Sequence, residues 1–123
     1  MIYVYNIHKE DHSANENDFY IGRGSPVGNL FSHLNEKGSY YDIVHVDTRE
    51  EAIENYKKIQ FPFEYENHRE FREYIDKMYE KFKNGEDIYL GCFCKPKSCH
   101  GDVIKEYLEK RFIKEQIEKS KKK

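Results

Sequence analysis

Residues 87–108 read DIYLGCFCKPKSCHGDVIKEYL, and three structural signals follow one another within them. Residues 87–94 (DIYLGCFC) are a nearly continuous apolar run of strand length, the pattern of a central strand buried on both faces. The polar segment KPKSCHG follows as a loop. From Asp102 onward Val103, Ile104, Tyr107, Leu108 and Phe112 recur at helical spacing, which predicts a helix to about residue 118. A buried strand that runs through a loop into a helix is the building unit of α/β architecture.

The rest of the chain is arranged around that unit. Residues 2–7 (IYVYNI) and 19–23 (FYIGR) are β-branched and aromatic runs separated by KEDHSANEND, which predicts two neighbouring strands. GSPVGN, residues 24–29, concentrates turn formers in a loop with a tightly specified backbone. Residues 41–46 (YDIVHV) read as a short strand or an extended lead into a helix. Thr48 and Glu51 make a capping box, and Ala52, Ile53, Tyr56 and Ile59 then keep helical spacing until Phe61-Pro62, predicting a helix over 49–60. Phe71, Ile75, Met78 and Phe82, with Lys81 and Lys83 in the last turn and Asn84-Gly85 as the stop, predict another over about 67–83. The expected fold is a small single-domain α/β sandwich with a mixed or parallel sheet of about three to five strands and about three helices. The domain is expected over residues 1–118, and residues 119–123 as a lysine-rich disordered tail.

Composition sets the scale. A chain of 123 residues suits one domain, and of its 37% apolar residues 11 are tyrosines. Leu, Ile, Val and Phe amount to about 23%, just above the ~20% at which strongly charged chains become disordered, but the net charge is only −2. The chain therefore folds around a small core. No apolar run approaches the ~20 residues of a membrane span, and MIYVYNIHKEDHS has neither the basic nor the apolar part of a signal peptide, so a cytoplasmic protein without membrane partners is expected. All three cysteines lie between positions 92 and 99, which argues for reduced thiols rather than a disulfide framework. Residues 1–62 carry 6 basic and 10 acidic side chains, residues 63–123 carry 15 and 13, a balance unlike that of a duplex-DNA binder.

Two loops carry the residue types of a chemical site. Cys94 falls at the carboxyl end of the predicted central strand, where open α/β sheets bind ligands, and Cys99, His100 and Gly101 open the last helix, whose first amides are unsatisfied. That helix start, with Lys95, Lys97 and His100 nearby, is expected to lower the Cys99 pKa. Three readings stay open: an anion site on the amides of residues 99–102 with the thiol or imidazole available for chemistry, a zinc site on Cys92, Cys94 and Cys99, or simple core packing of small cysteines. For zinc the spacing is weak, since there is one Cys-x-Cys and adjacent Cys99 and His100 do not easily reach a single ion. The second loop offers Gly22, Gly24 and Gly28 for close backbone approach and Arg23 as a planar fork, although a plain turn with a surface arginine explains the same residues. The remaining histidines, His8, His12, His33, His45 and His68, show no metal-like spacing. Tyr3, Tyr5, Tyr20, Tyr40, Tyr41 and Tyr65 suit base stacking, but tyrosine more often serves as the half-buried layer of a polar small domain.

The blocks FYIGRGSPVGNLF (19–31), DTREEAIENYKK (47–58) and YLGCFCKPKSCHGDVIKEYL (89–108), in this order, resemble the phage and bacterial family called domain of unknown function 4326. This chain has Leu30 where that family usually has proline. The resemblance implies a fold and a site but no activity. The expectation is one pocket built from residues 22–29 and 99–102 that binds, and extends to processing, a nucleotide or related phosphorylated small molecule. Arg23 and the helix amides would hold the anion, with Gly22, Gly24, Cys94 and Gly101 around it and Asn29 and Ser25 orienting it. Cys99 or His100 would be the reactive group and Asp102 the helix cap or orienter. No cofactor is expected, zinc being the alternative. The other class of function is a non-enzymatic phage-type interaction protein that binds a host protein or single-stranded nucleic acid.

Overall fold

The computed structural model describes residues 1–12, 14–34 and 43–121. Its centre is a three-stranded, all-parallel sheet in the order β1 (Ile2–Asn6), β5 (Ile88–Cys92), β2 (Asp18–Tyr20). The expected central strand is thus β5, with four of its five residues buried. The expectation that the first two strands are neighbours is corrected: β5 lies between them. An apolar strand with few polar side chains cannot occupy an edge, so the more polar β1 and β2 take the two flanks. Ile2, Phe19, Ile88 and Leu90 share the face that joins the core of helix residues Phe71, Ile75, Met78, Ile104 and Leu108. On the opposite face Tyr3, Tyr89 and His12 stack ring on ring.

β3 (Phe31–Ser32) and β4 (Val44–His45) form a second, two-stranded parallel sheet. The expected strand at 41–46 is reduced to these two residues, and positions 41 and 42 lie outside the described residues. Helix α1 (Arg49–Asn55) starts as anticipated, with Thr48 Oγ1 accepting from the Glu51 N–H at 3.0 Å. It does not end at Phe61-Pro62. A π-helical turn over Tyr56–Gln60 leads into α2 (Phe61–Asn67), and the helical path continues until the extended residue His68. Pro62 is tolerated because it sits in the first turn of α2, where its missing N–H has no intrahelical role, directly after a wide turn in which the Phe61 N–H donates to the Tyr56 carbonyl. α3 (Arg69–Lys83) buries Phe71, Ile75 and Met78 as the spacing predicts, and fastens to β2 through Tyr74, whose hydroxyl donates to the Tyr20 carbonyl at 2.7 Å. α4 (His100–Lys121) runs past the expected end near 118, so residues 119–121 of the expected disordered tail are helical; 122 and 123 lie outside the described residues. The result is one small α/β unit with parallel sheets, and no helix among the described residues is long and apolar enough to cross a membrane.

The π turn aims two buried polar side chains at the glycine loop. Tyr56 donates its hydroxyl to the Val27 carbonyl at 2.8 Å, while Gln60 donates to the Gly28 carbonyl at 2.8 Å and accepts from the Leu30 N–H at 2.9 Å. Each satisfies a backbone group that would otherwise be buried without a partner. Tyr56→Phe is expected to destabilise the fold by about 1–2 kcal/mol, read as a lower urea midpoint with unchanged slope, because the Val27 carbonyl loses its buried donor. An unchanged midpoint would refute that role for the hydroxyl.

Tyr20 and Tyr65 follow the half-buried pattern, whereas Tyr5, Tyr56 and Tyr79 are buried and Tyr3 is exposed. Tyr5 bonds through its hydroxyl to Asp18, Tyr20 to the Arg23 carbonyl and Tyr65 to Asp76. Tyr40 and Tyr41 lie outside the described residues.

Candidate functional site

The parallel sheet ends its strands on one side, and both loops of interest leave from there. The glycine loop begins where β2 ends. Gly24 has φ 95°, a conformation that glycine adopts without cost, and Ser25 folds back so that both its N–H and its hydroxyl donate to the Gly22 carbonyl. Gly28 then comes against the backbone of residues 22 and 23, so closely that a Cβ there would stand 2.8 Å from the Gly22 carbonyl oxygen. Asn29 fixes the exit of the loop: its amide donates to the Ala52 carbonyl and its carbonyl oxygen accepts from the Phe31 N–H.

The cysteine loop is shaped by three polar anchors. Asn6, at the end of β1, donates to the carbonyls of Phe93 and Lys95. Asp102 reaches back to the Cys99 N–H at 3.2 Å and pairs with Lys95 Nζ at 2.6 Å. It thereby forms the reciprocal half of a capping box at the start of α4. His100 joins the two loops. Its Nε2 lies 2.6 Å from the Ile21 carbonyl, an oxygen that only accepts, so Nε2 carries the proton and donates. Burial, reinforced by the nearby Arg23 charge, pushes the His100 pKa down to about 4. The ring is therefore a neutral strut between the end of β2 and α4, packed edge-on against Tyr56 at 5.0 Å.

A cavity of about 460 Å³ opens between the loops. The structure brings Gly22, Arg23 and Asn29 to the same wall space as Cys94, Cys99 and His100. It does not bring Gly24, Ser25, Gly101 or Asp102 into that lining: Ser25 closes the turn, Asp102 caps the helix, and a Cβ on Gly101 would strike Ile21 and Val4 side chains, so this glycine lets α4 approach the sheet. The cavity also holds residues that sequence reasoning left out. Arg49, at the first position of α1, donates to the Ser98 carbonyl at 3.4 Å, and Phe31 and His33 close the far side. An arginine in the first turn of a helix, where acids are usual, was a readable irregularity. In total the lining carries Lys9, Arg23, Arg49, Lys95 and Lys97, the Lys95 charge being matched by Asp102 just outside the lining, and, among the described residues, no carboxylate. In a chain of net charge −2 this is a strong local excess of positive potential.

The thiols are arranged differently from the expectation. Cys92 and Cys99 are buried, Cys94 is half-buried, and all three are free. Cys99 Sγ lies 3.5 Å from Cys92 Sγ and donates to it. Because Cys99 is the shared donor, its own pKa is raised, whereas Cys92 and Cys94 are both held down to about 6, in each case chiefly by the Cys99 thiol. For Cys94 the Arg49 guanidinium adds to the effect. The expected activation of Cys99 by the helix start is thus reversed: a Gly101 backbone hydrogen bond does act to lower its pKa, but two neighbouring sulfurs compete for the same proton and prevail. Among the described residues no group of three or more His, Cys, Asp and Glu side chains is placed to hold a metal ion, and Cys99 donates to Cys92 instead.

No curated protein and no solved structure matches the chain. The model of the family described as domain of unknown function (DUF4326) matches residues 5–110, a span that contains the parallel sheet from Tyr5 onward, the glycine loop, Arg49 and the whole cysteine loop, and the chain belongs to that family.

Proposed function

We propose that the cavity binds a nucleotide or a related phosphorylated small molecule. The observation that carries this reading is the lining itself: Lys9, Arg23, Arg49 and Lys97, besides the Asp102-paired Lys95, and, among the described residues, no carboxylate, in a cleft of about 460 Å³ at the carboxyl edge of a parallel sheet. That volume accommodates a mononucleotide-sized ligand. Arg23 and Arg49 supply planar forks suited to bidentate phosphate binding, Lys97 supplies a flexible charge, and Phe31 supplies an apolar wall for a ring. Asn29 and His100 act by holding the walls in place, since their polar atoms are engaged with backbone groups. Processing of the bound molecule would begin from Cys94 rather than from Cys99 or His100, because Cys94 is the thiol that is both exposed to the cavity and held near pKa 6.

Calorimetric titration with nucleoside mono-, di- and triphosphates tests the reading. Binding is expected for the wild type, weakening as salt rises, and Arg23→Ala is expected to reduce affinity about tenfold to hundredfold, the loss of one charge-assisted contact worth about 1.5–3 kcal/mol. Arg49→Ala should act in the same direction. Absence of binding across the panel, or equal affinity in Arg23→Ala and Arg49→Ala, removes the proposal.

A further inference from the structure

The cavity does not end at the cysteine loop. Four of its lining residues, Asn6, Lys9, Lys95 and Pro96, also line a second, wider groove of about 910 Å³. Residues 2–6, the whole of β1, line that groove, and β1 is an edge strand of the sheet. The two hollows therefore meet at the carboxyl end of β1 and continue into one another.

The groove carries a pile of near-parallel rings. Tyr3 lies 5.3 Å from Tyr89 at 15°, and His12 lies 4.5 Å from Tyr89 at 12°. Tyr3 and Tyr89 are direct partners across β1 and β5, so their side chains stand side by side on one face of the sheet. Tyr5 steadies the other end, its ring edge-on to His12 at 4.6 Å and its hydroxyl bonded to Asp18. Tyr3 stands on the outermost strand, with no described strand beyond it, and is 40% exposed. A ring left open at the end of a pile is a platform for one more flat ring.

We propose that the ligand of this continuous surface is a short single-stranded oligonucleotide, held by a terminal phosphate in the cavity and by a later base stacked on Tyr3. The inference rests on the phosphate-binding reading of the cavity and adds the class and length of the ligand. From Asn6, which both hollows share, to Tyr3 is three residues of strand, about 10 Å. The base on Tyr3 thus belongs to a nucleotide further along than the one whose phosphate occupies the cavity. Charge separates the two ends in the same way. The cavity has Arg23, Arg49 and Lys97 and, among the described residues, no carboxylate, whereas in the groove Lys9 and Lys105 face Glu10, and Lys95 is paired with Asp102 at 2.6 Å. Phosphate recognition belongs to the cavity and ring contact to the groove, and stacking accepts any base because every base has a π-face.

The test titrates the full chain with 5′-phosphorylated deoxyadenylates of one, two and four nucleotides, with a matching 3′-phosphorylated set, and with deoxyadenosine 3′,5′-bisphosphate, which adds phosphate charge without a second base. In at least one set the four-nucleotide ligand is expected to bind about fivefold or more tighter than the mononucleotide, the gain from one stacked base, and the bisphosphate should not reproduce that gain. Because the gain comes from a ring, the ratio should hold between about 50 and about 300 mM salt while every affinity falls. Tyr3→Ala should bring the ratio close to one and Tyr3→Phe should keep it. If Tyr3→Ala does not fold, the wild-type ratio, its salt dependence and the bisphosphate decide the matter. A ratio near one in both sets, an equal gain from the bisphosphate, or a ratio retained in Tyr3→Ala would each overturn the proposal. Mononucleotide binding in any of those cases leaves the cavity reading standing, whereas no binding by any ligand of the panel removes both.

Discussion

Replacing Gly28 with alanine is expected to cost about 3 kcal/mol of folding stability and to abolish ligand binding at the cavity, although only one methyl group is added. The added Cβ would stand 2.8 Å from the Gly22 carbonyl oxygen and 3.0 Å from Arg23 Cα. Both are backbone atoms, and neither can turn aside as a side chain would. The Gly22 carbonyl already accepts from Ser25 twice, and the Gly28 carbonyl is held by Gln60. Alanine also stiffens the unfolded chain, a gain of about 0.4–1 kcal/mol that the clash must exceed. Urea denaturation gives the net effect, and the nucleotide titration gives the functional one. A variant within about 1 kcal/mol of wild type that still binds would show slack in the loop and sink the packing argument.

The second large effect depends on pH. His100 is neutral and buried in the fold, with a pKa pushed down to about 4, while in the unfolded chain it titrates near the usual ~6.5. Between those values the unfolded state binds a proton that the folded state refuses. Stability from this group is therefore complete above about pH 6.5 and is lost as pH falls toward 4, by up to about 3 kcal/mol. Carboxylates titrate in part of the same window, so the informative quantity is the difference between wild type and His100→Gln, whose amide can still donate toward Ile21 but has no charge to gain. Urea midpoints at several pH values from 7.5 to 4.5 should converge for the two proteins as pH falls. Parallel curves would mean that the imidazole is not shielded in the folded state. Arg23 makes the two expectations linked, because its charge is one reason that His100 resists protonation.

What could be read from the chain was mostly local. The apolar run at β5, the spacing of Phe71, Ile75 and Met78 in α3, and the Thr48 cap of α1 depend on neighbours within a few residues, and all three stand in the structure. The two loops of the site were legible for the same reason, since glycine, proline and clustered cysteine are conspicuous where they occur. Pro62 misled because its effect depends on the turn before it: a π turn gives it a first-turn position, and nothing in YKKIQ announces that turn. Arg49, His33 and Asn6 were missed as cavity residues because they come from other parts of the chain than the two loops, and only Arg49 carries a local signal, its place in the first turn of α1.

The sequence by itself determined the α/β class, most of the helices and strands and the two loops that line the cavity, because hydrophobic periodicity, capping and turn chemistry act over a turn of helix or a pair of strand residues. Tertiary structure decided the strand order, the reach of α1 through Pro62 into α2, and the identity of the cavity's cations. It also decided which sulfur is activated. A helix start alone would favour a thiolate at Cys99, but folding sets the Cys92 sulfur 3.5 Å from it as an acceptor, and the Cys99 pKa rises instead. Proton positions follow from distances of a few ångströms between residues that need not be neighbours in the chain, and those distances exist only once the sheet and its loops have closed.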